Sequence, residues 1–85
     1  MNISLEFRVA CVIQQLCDVG KHEATFKKVH GAFQDINEER LSSILDTLFD
    51  WGIIRAEHFD GLWRYQIQDD QIPLIREIVV YIGNK

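Results

Sequence analysis

The sequence predicts an α+β domain in which a three-helix core is followed by a two-stranded β-hairpin and a C-terminal helix. Three observations carry this reading. Leu41, Ile44, Leu45 and Leu48 recur at i, i+3, i+4 and i+7, the spacing of one buried helix face. Gly52 follows that run as a helix stop. Asp60-Gly61 then lies between two runs that separate into an apolar and a polar face when paired across a two-residue turn.

Taken in order, the first helix is expected from about Ser4 to Val19, with Gly20 ending it. Leu5, Val9, Val12 and Leu16 form one apolar row, and Ile3, Phe7, Ala10, Ile13 and Cys17 form another. Only Ser4, Arg8, Gln15 and Asp18 make a polar arc, so this helix needs cover on two sides. One cover is the domain's own core; the other is the last helix, a partner subunit, or both. Lys21-His22 reads as a turn, and Glu23-Ala24-Thr25 has room only for a short edge strand. Thr25 is then placed to cap a second helix from Phe26 to about Gln34, with Phe26, Val29 and Phe33 on one face. After a turn at Asp35-Ile36, Asn37 caps the third helix, which runs to Trp51; Ile36 and Leu41 are spaced as a hydrophobic staple.

A type I′ turn at Asp60-Gly61 fixes the hairpin register. Phe59 faces Leu62, His58 faces Trp63, Glu57 faces Arg64, Ala56 faces Tyr65, Arg55 faces Gln66 and Ile54 faces Ile67. Ile54, Ala56, Tyr65, Ile67 and Trp63 then share an inner face with His58, while Arg55, Glu57, Arg64 and Gln66 share the outer one. Phe59 and Leu62 are left at the tip. Asp69-Asp70 is placed to cap a fourth helix with Pro73 in its first turn, where the missing N–H costs nothing. Ile72, Ile75, Ile78, Val79 and Ile82 form one face of it, widened by Leu74 and Tyr81.

The chain of 85 residues is expected to make a single domain over 1–85, of ordinary globular composition at 47% hydrophobic residues. No apolar run approaches the roughly 18 residues of a membrane-spanning helix, and the amino terminus lacks a basic region leading to a small-residue cleavage site. The expected location is cytoplasmic, without membrane association. Cys11 and Cys17 fall on one helix about 9 Å apart along its axis, too far for an intrachain disulfide. His22, His30 and His58 are scattered and there is no CxxC pair, so neither a metal nor another cofactor is expected. No Gly-rich phosphate loop, nucleophile elbow or carboxylate pair beside a base is present, so an enzyme is not expected.

The order of helix, short strand, helix, turn, helix, hairpin and helix resembles the winged helix-turn-helix family of small prokaryotic transcription regulators. The likeness covers nearly the whole chain. It rests on Phe26 to Phe33, the turn at Asp35-Ile36, the stretch from Leu41 to Ile54, and Trp63 and Tyr65 in the hairpin that would be the wing. In that family the third helix usually enters the major groove, the second lies over the backbone, and the wing touches phosphate or the minor groove. The resemblance therefore implies a DNA-binding transcription regulator. Lys21, Lys27, Lys28, Arg40, Arg55 and Arg64 would contact double-stranded DNA, with Ser42, Ser43 and Thr47 adding hydrogen bonds. It also implies a homodimer through Leu5, Val9, Val12 and Leu16 of the first helix with Leu74, Ile78 and Tyr81 of the last.

The charges point the other way. Formal net charge is −4, whereas phosphate neutralisation by a positive face supplies most DNA affinity. The outward line of the third helix reads Glu39, Ser43, Asp46, Asp50. Glu38 and Glu39 are accounted for by the positive end of the helix dipole, but Asp50 lies in the last turn, where the dipole disfavours it. The alternative is a winged-helix protein–protein interaction module, or a subunit of a transcription assembly, whose acidic third helix meets a basic protein partner.

Overall fold

The computed structural model describes residues 3–20 and 22–83. Four α-helices and one two-stranded antiparallel sheet follow in the order α1 (Leu5–Val19), α2 (Phe26–Gly31), α3 (Glu38–Asp50), β1 (Ile54–Phe59), β2 (Leu62–Ile67) and α4 (Ile72–Gly83).

Helix α1 is the axis of the fold. Ser4 caps it, its hydroxyl accepting from the Phe7 amide at 3.3 Å. Val9, Ala10, Cys11 and Ile13 are buried along it. Its two apolar sides are covered by α3 and β2 and by α4 of the same chain. Gln14 lies outside the expected polar arc and is buried; its side-chain amide donates to Asp18 Oδ1 at 3.0 Å.

The expected edge strand at 23–25 shrinks to one bridge, Thr25 to Arg64, with the Tyr65 amide donating to the Ala24 carbonyl at 2.9 Å. The strand can go no further because Thr25 is already the N-cap of α2, accepting from the Lys28 amide at 3.3 Å. Helix α2 stops at Gly31, short of the expected Gln34. The chain tightens there into i→i−3 bonds from Ala32 to Val29 and from Phe33 to His30. The His30 ring, donating through Nε2 to the Ile36 carbonyl at 2.7 Å, holds the return. That return lets Ile36 enter the core.

Asn37 caps α3, its Oδ1 accepting from the Arg40 amide at 2.8 Å, and Leu41, Ile44, Leu45 and Leu48 are buried as the spacing predicts. Trp51 is the C-cap and not the last helical residue. Gly52, at φ +75°, donates to Phe49, and Ile53 donates to Leu48, both at 3.0 Å. These are the paired bonds of a Schellman ending, and buried Ile53 and Leu48 supply its apolar contact. The hairpin follows with all six residue pairs in the expected register, turning on Asp60 (φ 53°) and Gly61 (φ 75°).

The start of the last helix departs from expectation. Asp69 and Asp70 form a 3-10 turn, Asp69–Gln71, flanked by Gln68 with no side-chain cap bond, and α4 begins only at Ile72. Pro73 sits in its first turn. Of its broad apolar surface, Ile75 alone is buried, while Ile72, Ile78 and Val79 pack partly on the core. Leu74, Val80, Tyr81 and Ile82 are exposed. Among the described residues no helix is long and apolar enough to cross a membrane.

Candidate binding face of α3 and the hairpin

Helix α3 and the inner face of the hairpin diverge to leave a groove of about 730 Å³. Its floor is Leu45, Ile54, Ala56 and Tyr65, and Phe26, Phe49 and Trp63 stand around it. Glu38, Glu39, Ser42 and Asp46 line its α3 edge. Phe49 and Trp63 are each about half exposed, at 54% and 50%. Trp63 is on the inner hairpin face as predicted, but it stands at the groove and is not enclosed. Its ring meets His58, expected on the same face, at a centroid distance of 4.8 Å.

On the groove side α3 presents a stripe that the sequence reading does not group. Glu38, Ser42, Leu45 and Phe49 are spaced four, three and four, so they lie on one line of the helix. That line is rotated towards the hairpin from the outward row of Glu39, Ser43, Asp46 and Asp50. The spacing was the available signal, and Phe49 was the residue it would have exposed.

The residues expected to meet DNA are not gathered on this face. Lys27, Arg40, Ser42 and Ser43 are exposed. Lys28 is ion-paired with Glu23. The Thr47 hydroxyl donates back to the Ser43 carbonyl at 3.0 Å and is spent within the helix. Arg55 donates through Nε and Nη2 to Gln66 Oε1 at 2.9 and 2.6 Å and lies 3.8 Å from Asp69. Arg64 is opposite Glu57 in register, and its guanidinium stacks over the Phe59 ring, 5.0 Å from the centroid. Its Nε is buried with no hydrogen-bond partner. Alternation along the strands puts Arg55 and Arg64 on the hairpin face opposite Ala56, Tyr65 and Trp63. The two arginines therefore point away from the α3 groove. Lys21 lies outside the described residues.

Phe59 and Leu62 remain half exposed at the hairpin tip, with Phe59 covered on one side by Arg64. Trp51 is also exposed at 55%, its ring 6.3 Å from that of Phe7. Of the residues expected in a dimer interface, Val9 is wholly buried inside the chain and Leu5, Leu16 and Ile78 pack partly on its own core. Val12 is half-buried, and Leu74 and Tyr81 are exposed on α4.

The groove's titration chemistry is set by burial. The Tyr65 phenol is pushed up to about 12 by desolvation, with the Asp46 charge adding to it. Burial likewise raises the Cys11 thiol. Cys17 is raised by burial and by Asp18, with Arg55 opposing, and its Sγ donates to the Tyr65 carbonyl at 3.5 Å. Both thiols are free and weakly nucleophilic for that reason. Among the described residues no cluster of His, Cys, Asp or Glu could hold a metal ion. No family model, curated protein or solved structure matches this chain.

Proposed function

We propose that this chain is a winged helix-turn-helix domain acting as a protein-interaction module, with α3 and the inner face of its wing as the docking surface. The fold part of this reading is supported by the element order and by the Thr25–Arg64 bridge, which sets a rudimentary third strand beside the hairpin. The functional part is carried by one observation. The face where α3 and hairpin meet is apolar with a carboxylate edge, while Arg55 and Arg64 occupy the opposite hairpin face. A polyanion laid against α3 would meet Glu39, Asp46 and Asp50 without the wing's arginines beside it. The role is binding and not catalysis. The exposed Leu74, Val80 and Tyr81 of α4 support self-association as a homodimer through that helix.

A second reading, weak binding of duplex DNA, is favoured by the exposure of Lys27, Arg40, Ser42 and Ser43 on α2 and α3. The two readings separate in one titration. Under the interaction reading, duplex DNA binds neither the unaltered chain nor the Asp46→Asn, Asp50→Asn double variant, at low or high salt. Under the DNA reading the double variant binds more tightly, because two repulsive charges have left the face, and its affinity falls with salt by a slope of roughly 0.9 for each phosphate contact. Salt-dependent binding tightened by the double change overturns the interaction reading.

A further inference from the structure

We infer that the groove between α3 and the hairpin docks a short basic amphipathic segment of a partner protein, with apolar side chains on the floor and lysine or arginine along the α3 edge. The inference rests on the interaction-module reading and specifies its ligand. The groove volume of about 730 Å³ falls in the range of clefts that bury most of a compact ligand. Its floor offers Leu45, Ala56 and Tyr65, which can exclude water from aliphatic or aromatic groups but make few directional bonds.

Charge decides which apolar segment fits. Glu38, Glu39 and Asp46 stand along one edge, and among the described residues no lysine, arginine or histidine lines the groove. An acidic or neutral segment would leave these carboxylates uncompensated as water is displaced; a basic one pairs with them. A lysine or arginine crossing from that edge would also reach the half-exposed rings of Phe49 and Trp63, whose faces attract cations. Apolar anchors at helical spacing with basic flanks are the pattern by which amphipathic helices lie in grooves of this kind.

The test presents the full chain to a displayed library of random peptides about three helical turns long. Enriched peptides are expected to combine Leu, Phe or Trp with Lys or Arg and to lack Asp and Glu. The best one, synthesised, is expected to bind about tenfold more weakly to Ser42→Trp, which plugs the groove, and to Asp46→Lys, which reverses its edge. Both positions are exposed, and unchanged circular dichroism and melting of the two variants establish that they fold. Gln15→Lys, on the exposed polar arc of α1 and outside the groove lining, is expected to leave the affinity unchanged. Enrichment of acidic or uncharged peptides, or no enrichment, overturns the inference. Binding that Gln15→Lys weakens and the groove variants do not also overturns it, and moves the docking surface away from α3 while leaving a protein-interaction role standing. Failure of both is a different result: no enriched peptide, together with salt-dependent duplex binding.

Discussion

Arg76 on α4 donates to both carboxylate oxygens of Asp18 on α1, Nη2 to Oδ1 at 3.0 Å and Nη1 to Oδ2 at 3.4 Å. Buried Gln14 donates to the same Oδ1, so one carboxylate joins the two helices. The ion pair nevertheless contributes little energy. Its side chains are 57% and 46% exposed, and exposed pairs contribute about 0.2–1 kcal/mol. The neighbouring Ile75 is fully buried against the core and carries the attachment of α4. Arg76→Ala is therefore expected to cost under about 1 kcal/mol, and Ile75→Ala about 2–5 kcal/mol. Urea unfolding of the two variants checks the order; a larger loss from Arg76→Ala would reverse the assignment.

The hairpin turn makes a second prediction. Gly61 has φ +75° with open space around the position of a Cβ, so a substitution there acts through the backbone and not through a clash with neighbours. A left-handed conformation costs an L-residue about 1–2 kcal/mol, and a β-branched one more. Gly61→Val is expected to destabilise the domain by at least that amount, and Gly61→Asn by much less, since Asn tolerates this region. Equal unfolding midpoints for the two variants would show that the turn relaxes to another type.

The hairpin turn marks where the sequence is legible, and the Arg76–Asp18 link where it is not. The hairpin register follows from local chemistry: a turn that needs positive φ and strands whose alternation permits one pairing. The caps at Thr25 and Asn37 are local in the same way. What sequence reading misplaced depends on side-chain bonds and packing that residue spacing does not show. The end of α2 is set by His30 reaching Ile36, and burial of Gln14 is made tolerable by Asp18. The separation of Arg55 and Arg64 from α3 is topological. The register put them on the outer strand face, but only the packing of the hairpin shows that α3 lies on the inner one. The candidate groove was half legible: its acidic residues and Trp63 were singled out, while Phe49 and the apolar floor became a surface only when helix and hairpin were set apart in space.

Self-association through α4 gives a third prediction. Val80 is 60% exposed and Leu74 43%, so charges there act on an assembly and not on the domain's own core. Light scattering of the unaltered protein is expected to give a dimer. Leu74→Lys with Val80→Lys is expected to give a monomer with an unchanged circular dichroism spectrum. A monomer before any substitution removes the dimer from the proposal.

Tyr65 yields a pH dependence. Its phenol titrates at about 12 in the folded chain, against about 10 in an unfolded one. The protonated form is therefore favoured by folding. Below pH 10 both states hold the proton and the stability is fully present. As pH rises from 10 towards 12 the unfolded state releases its proton first, so stability falls, and the loss is complete once pH has passed through 12. The full effect is about 2–3 kcal/mol. Tyr65→Phe keeps the ring but has no proton to lose. The difference in unfolding free energy between the unaltered chain and Tyr65→Phe is expected to be constant up to about pH 9.5 and then to shift in favour of the variant. Asp46→Asn should narrow that shift, because one of its two causes is removed, while burial, the larger cause, remains. A difference that stays constant to pH 11.5 would mean that the phenol is not desolvated, and that the groove floor at Tyr65 is open to water.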